Sequence, residues 1–281
     1  MYLNKTGFSS PYIICGNDLR YSFLAELLSK AGKTVYLWSC NFVSEYARPI
    51  HSAAEITVPC TVILPFASEP AIQCAVLSDI CPHSLVVGGK LCSEAENILS
   101  RSECDFFPLL EDDEFSKLNA IPTAEGILSL VIKETDFLLS DASVLVFGSG
   151  RVAQAVLKLF YRIPKRLWMC ARNDAALISA AEAGFGTMKF PPDPSSNAIS
   201  DFDIIINTIP SFHIISEQIV SSFKKSAIYF ELASGKDNID AVSAEKNSVR
   251  VVFAHSLPGK FAPRTAAGYI AHAIERYKLE R

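Results

Sequence analysis

Short, nearly continuous apolar runs recur along the chain, separated by stretches whose apolar positions fall at helical spacing. The runs are residues 12–15, 34–38, 60–65, 84–87, 104–110, 144–147, 166–171, 185–190, 203–209, 227–232 and 249–254. Runs of this length read as strands buried on both faces of a parallel sheet. Between the first two, Leu19, Phe23, Leu24, Leu27, Leu28 and Ala31 recur at helical spacing and Gly32 supplies a C-terminal stop. A second helix is expected over 121–139. It opens at Ile121-Pro122-Thr123-Ala124-Glu125, with Thr123 as cap and Glu125 at the positive end of the dipole. Further helices are expected from residue 151 to Pro164, over 174–183 before Gly184, and from a Thr265 cap onward.

The most informative stretch is Asp141 to Ala153, DASVLVFGSGRVA. An apolar strand leads into Gly148-Ser149-Gly150 and a helix opening at Arg151, the G-x-G-x-x-A form of the dinucleotide-binding turn. Gly148 allows the tight turn, Gly150 lets a pyrophosphate approach the backbone, and Ala153 lets helix and strand pack closely. The helix N-terminus then presents free N–H groups and a positive dipole end to the phosphates. Gly148, Ser149, Gly150, Arg151 and Val152 are the candidate pyrophosphate residues. The first strand–helix unit has no second glycine at that spacing, so it is expected to be a related layer that does not hold the cofactor. Strands alternating with helices give an α/β class with two Rossmann-like doubly wound parallel-sheet domains joined by long helices. The expected division is 1–120, joined by the helix at 265–281, as the substrate side, and 121–264 as connecting helix plus nucleotide-binding domain.

Composition narrows the class. The 281 residues are 49% hydrophobic with a formal net charge of −4 and a pI near 5.8. There is no basic field for nucleic acid or an anionic membrane. No apolar run is long enough to span a bilayer, and the N-terminal segment does not read as a signal peptide. The eight cysteines are scattered, without a C-x-x-C pair, as expected of buried thiols in a reduced cytoplasm. The acidic run Glu111-Asp112-Asp113-Glu114 reads as a solvated helix start, and no matching ligand set makes it a metal site.

The residue ending the second strand of the nucleotide unit separates NAD from NADP. An acid there would bind ribose hydroxyls and repel a 2′-phosphate. The position 24 residues after Gly148 is Arg172. Its planar fork suits a dianionic phosphate, which favours NADP with NAD as the alternative. Asn207-Thr208-Ile209-Pro210 ends the fourth strand, beside the expected nicotinamide, and also reads as an ordinary strand end with turn residues.

Several segments together resemble the A-subunit family of dipicolinate synthase. They are Gly16-x-Asp18-x-Arg20, Ile63-Leu64-Pro65, Ile121-Pro122-Thr123-Ala124-Glu125-Gly126, Glu134-Thr135-Asp136 and Val146-Phe147-Gly148-Ser149-Gly150-Arg151. They continue with Ile206-Asn207-Thr208-Ile209-Pro210-Ser211, Leu232-Ala233-Ser234 and Leu257-Pro258-Gly259-Lys260-x-Ala262-Pro263-Arg264-Thr265-Ala266-x-Gly268. The chain departs from the family pattern at Asn17, at Gly235-Lys236-Asp237-Asn238 and at His255-Ser256. The resemblance implies a two-domain Rossmann-type fold and NAD(P)-dependent oxidation of dihydrodipicolinate to dipicolinate during sporulation. It further implies a flavoprotein-like partner, the B subunit of dipicolinate synthase, in the mother-cell cytoplasm of a spore former. Ser234 and Pro258 join the expected cofactor set.

Dihydrodipicolinate is a small cyclic dicarboxylate, so its site must hold a ring and neutralise two carboxylates. Arg20, Ser68, Thr123 and the Gly88-Gly89 backbone, Gly89 in particular, are the candidates. Arg20 also reads as a surface helix residue and Thr123 as a plain cap. No general base stands out; His255, at a strand end, is the candidate with a suitable pKa range. Two other readings share the fold. One is a dehydrogenase acting on another small carboxylate, of shikimate or hydroxyacid type, against which no Lys/Asp pair and no His/Glu pairing is visible in the sequence. The other is a non-catalytic NADP-binding scaffold or sensor. The sequence leaves a homo-oligomer open.

Overall fold

The computed structural model describes residues 10–193, 198–235 and 237–281. Most of the N-terminal segment in which no signal peptide is expected, the end of the loop that starts at Pro191, and Lys236 lie outside them. The chain forms two compact units, one of Met1–Asn119 with Ala262–Arg281 and one of Ala120–Phe261.

In unit 1, β1 (Tyr12–Cys15), α1 (Leu19–Lys30), β2 (Val35–Trp38), β3 (Arg48–Ile50), β4 (Thr61–Ile63), α2 (Pro70–Leu77), β5 (Leu85–Gly88), α3 (Ser93–Arg101) and β6 (Asp105–Pro108) follow in order. The strands form an all-parallel sheet in the order β3-β2-β1-β4-β5-β6. The helix α4 (Asp113–Glu134) starts in unit 1 and continues into unit 2.

Unit 2 holds β7 (Ser143–Phe147), α5 (Arg151–Phe160), β8 (Arg166–Ala171), α6 (Asp174–Glu182), β9 (Gly186–Lys189), β10 (Ile204–Asn207), α7 (Glu217–Ser221), β11 (Ile228–Glu231), α8 (Ala241–Lys246), β12 (Arg250–Phe253) and α9 (Leu257–Phe261). Its sheet, also all parallel, runs β12-β11-β10-β7-β8-β9. Counted from the first strand of each unit, both sheets have the doubly wound order 3-2-1-4-5-6. The two expected Rossmann-like sheets are therefore present.

The helix α10 (Pro263–Leu279) returns to unit 1. Ala267, Ile270, Ala273 and Ile274 on α10 share one core with Tyr12, Ile14, Tyr21, Leu24 and Leu28. The acidic run at the start of α4 is explained by its contacts. Asp112 accepts from the Phe115 amide at 2.7 Å, as a helix cap does. It also pairs with Arg276 of α10 at 2.5 Å, and Glu114 lies within 3.3 Å of the same guanidinium.

Several boundaries differ from expectation. Thr123 is not a helix cap: it lies in the interior of α4, which begins ten residues earlier at Asp113 and keeps Pro122 inside it. Proline is equally at home in a first helical turn, and only the upstream turn capped by Asp112 tells the two placements apart. The same helix ends at Glu134 rather than near Leu139. Thr265 does not cap α10 either. Ala262 is at the cap without a side-chain bond, and Pro263 starts the helix with its fixed φ. The edge strand β3 escaped the pattern because two of its three residues are exposed. All eight cysteines are free thiols. Burial pushes the Cys170 thiol up to about 12 and Cys40 to about 11.

Candidate functional site

In unit 2 the strand ends converge by register. Phe147 pairs with Asn207 on one side and Cys170 on the other, and Asn207 pairs with Glu231. The C-terminal edge thus gathers Gly148, Ser149, Gly150, Arg151 and Val152 after β7, and Asn207, Thr208, Ile209 and Pro210 at the end of β10. Arg172 follows β8, and Ser234 lies in the loop after β11. The point between β7 and β10 is where the strand order reverses, the place at which such sheets bind ligands.

Gly148 has φ +114, a left-handed region that favours glycine. A Cβ there would overlap Thr208 Oγ1. That hydroxyl donates to the Phe147 carbonyl at 2.8 Å, so the β7 and β10 turns are closed on each other. Gly150 caps α5, and a Cβ on it would meet nothing within 4 Å. An open space over a glycine-capped helix N-terminus fits a pyrophosphate. Ala153 is fully buried, as close helix–strand packing requires.

Arg172 is exposed just past β8. Beside it Lys189, at the end of β9, donates to the Arg172 carbonyl at 2.8 Å and pairs with Asp174. Sequence reading overlooked Lys189, because only sheet register brings β9 beside the β8 turn.

The largest omission is Glu231. It is 2% exposed at the end of β11. Asn207 Nδ2 donates to both its oxygens at 3.0 and 3.1 Å, the Tyr229 hydroxyl donates at 2.7 Å, and the Ala233 amide donates at 2.9 Å. Burial is the largest influence and raises the carboxyl pKa, although these bonds and the charge of His255 pull the other way. His255 makes no ion pair or hydrogen bond with Glu231 among the described residues. Its ring packs edge-on against Phe253, and its Nε2 is buried without a hydrogen-bond partner among the described residues.

Pro258 is buried within α9. A Cβ on Gly126 would come within 2.9 Å of Leu257 Cβ and 3.0 Å of Phe261 Cδ2. The I-P-T-A-E-G and L-P-G segments thus meet where α9 packs on α4. Thr123 is half-buried on α4. A cavity of about 430 Å³ is lined by Leu157, Tyr161, Met169 and Phe185 and by none of the glycine-turn residues.

The remaining candidates are in unit 1. Gly16 has φ +98, and a Cβ there would meet Pro65 Cγ at 2.7 Å. Where unit 2 has its second glycine, unit 1 has Asp18. The Asp18 carboxylate accepts from the Arg20 amide at 2.9 Å, capping α1, and binds Arg20 Nε at 2.8 Å and Nη2 at 2.5 Å. Arg20 is buried rather than a surface residue, with its guanidinium 4.3 Å from the Phe66 ring centre. Ser68 Oγ accepts from Gln73 Nε2 at 3.0 Å, and the same amide donates to the Lys90 carbonyl at 3.1 Å. Gln73 thereby ties together the loops that carry Ser68 and Gly89. A Cβ on Gly89 would collide with the Phe66 carbonyl oxygen.

No protein-family model matches the chain. Over 198 residues, 70% of its length, it is 31% identical to the A subunit of dipicolinate synthase from Bacillus subtilis (strain 168). The chain belongs to the A-subunit family of dipicolinate synthase. The matched stretch spans 66% of that relative. Two solved structures from the same family share the fold. The A subunit of dipicolinate synthase from Bacillus halodurans has a TM-score of 0.80 and 22% identity, covering 96% of this chain and 98% of that one. The synthase's A chain from Bacillus subtilis has a TM-score of 0.80 and 25% identity, covering 96% of each.

Proposed function

We propose that this chain oxidises dihydrodipicolinate to dipicolinate with a nicotinamide dinucleotide, as the A subunit of a dipicolinate synthase. The observation that carries the reading is the glycine-capped α5 at the strand-order reversal, in a chain of this family. When bound, the nicotinamide would supply a hydride acceptor, and aromatisation of the product ring would supply driving force.

The chain's own work is binding and orientation. Gly148 through Val152 hold the pyrophosphate, and Arg172 with Lys189 receives a 2′-phosphate, which makes NADP the expected form. Asn207 through Pro210, Ser234 and Pro258 complete the cofactor set. Arg20, Ser68, Gly89 and Thr123 are proposed to hold the substrate carboxylates. Arg20 does so while Asp18 fixes its Nε and Nη2. His255 Nε2 is the proposed acceptor of the proton that leaves the ring. The flavoprotein-like B subunit of the synthase is the proposed partner, and the mother-cell cytoplasm of a spore former the proposed setting.

The test is turnover. The purified chain, alone and with its B-subunit partner, is given dihydrodipicolinate with NADP or NAD, and dipicolinate is followed by its absorbance. Product is expected, faster with NADP, and Arg172→Asp should move the preference towards NAD. Absence of product in every condition, despite measured dinucleotide binding, would replace this reading with the scaffold one.

A further inference from the structure

The unit 2 edge contains a buried polar cluster that no step of the proposed reaction uses directly. Glu231 is its centre, and its partners are the last residue of β10, a tyrosine of β11 itself and the loop after β11. Through the Asn207 amide it holds the turn after β10. Asn207 Nδ2 faces the carboxylate, so its Oδ1 must face the other way, where it accepts from the Ile209 amide at 3.1 Å. Through the Ala233 amide it holds the loop after β11. Tyr229, fully buried, closes the remaining side with its hydroxyl. The β10 turn in turn abuts Gly148 through Thr208.

A doubly wound sheet binds a dinucleotide as two halves. The half carrying the glycine turn takes the adenosine, and the half beyond the reversal takes the second nucleoside. β10, β11 and β12 are that second half. Burying a carboxylate is costly unless every lone pair is matched, and a hydrophobic residue would serve a purely structural core at least as well. Here the matched donors are the Tyr229 hydroxyl, the carboxamide that ends β10 and a backbone N–H in the loop after β11.

We propose that Glu231 is the positioning residue of the nicotinamide half, fixing the 207–210 turn and the loop after β11 in the conformation that receives the ring. The proposal rests on the reading that unit 2 binds a nicotinamide dinucleotide.

Paired ligands separate it from a general structural role. Affinity is measured for NADP and for 2′-phospho-ADP-ribose, which lacks the nicotinamide, and likewise for NAD and ADP-ribose. Glu231→Leu matches the side-chain volume but strands three donors. It should weaken the whole dinucleotide about tenfold or more while leaving the nicotinamide-free fragment within about twofold of wild type, a difference of about 1.4 kcal/mol. Retained fragment binding also reports that unit 2 is folded. Glu231→Gln keeps one acceptor oxygen and should show the same split at smaller size, which carries the test if leucine prevents folding. Equal losses for dinucleotide and fragment, or wild-type affinity for both in the two variants, overturn the proposal. A wild-type chain that binds neither ligand overturns the underlying reading and this inference with it.

Discussion

Asp18 occupies in unit 1 the place that unit 2 leaves open for an anion. Both units turn from first strand to first helix through a glycine with positive φ, Gly16 and Gly148. In unit 2 the helix is capped by Gly150, with no side-chain cap bond. In unit 1 a carboxylate caps the helix and is neutralised by Arg20. The two turns thus differ in whether a carboxylate caps the helix. The pair also has an energetic consequence. Burial alone would raise the Asp18 carboxyl, but the Arg20 hydrogen bonds and charge outweigh it and hold the pKa below the usual carboxylate range. A lowered folded-state pKa contributes stability above the unfolded value of about 3.9 and loses it as pH falls through the folded value. Asp18→Asn keeps a cap but strands the buried guanidinium, at a cost of about 3 kcal/mol. Chemical denaturation at pH 7 should show that loss, and the gap between wild type and variant should narrow below about pH 4. An unchanged gap at low pH would mean that charge is not the source. The glycine turn was legible residue by residue because its spacing is local. Glu231 was not, since its partners Asn207 and Tyr229 come from sheet register and from an alternation that a continuous apolar run conceals. The available signal was a lone acid closing an apolar strand, two positions beyond a tyrosine.

At the scale of elements, the contact of α9 with α4 explains why two distant motifs accompany each other. Gly126 exists in α4 so that Leu257 and Phe261 can approach its backbone. Gly126→Val places atoms where Leu257 Cβ already stands. Overpacking of this kind costs about 1–3 kcal/mol, and a fall in the thermal midpoint of unit 2 is the expected measurement. Gly126→Ala should cost less, because alanine gains helix propensity over glycine by about 1 kcal/mol. Equal stability of the valine variant would contradict the packing account. Strands were the best-read elements, since apolar runs in a parallel sheet are buried on both faces. Helix starts were the worst. Pro122 and Pro263 carry the same residue type, yet one is inside a helix and the other begins one. Only the presence or absence of a capped turn upstream separates them.

At the scale of the molecule, two sheets of identical strand order differ in what their first turns can hold. A dinucleotide should therefore act on unit 2 alone. At a hundred times its dissociation constant it should stabilise that unit by about 2.7 kcal/mol. Hydrogen exchange with NADP is expected to slow at 143–152 and 207–210, with the strands of unit 1 unchanged. Slowing centred on 12–20 instead would transfer the cofactor to the other sheet. The two sheets and their order follow from alternating strand and helix patterns. The return of α10 to the first core does not, because its apolar face at Ala267, Ile270, Ala273 and Ile274 names no partner.

That return gives the chain a schedule. Unit 2 is continuous from Ala120 to Phe261, so a ribosome delivers all of it before it delivers α10. Unit 1 needs α10 to cover Tyr12, Leu24 and Leu28. At synthesis rates of about 5–20 residues per second, that surface waits roughly seven to thirty seconds while the second unit is made. A nascent chain that has not yet delivered α10 is therefore expected to leave part of the first core uncovered.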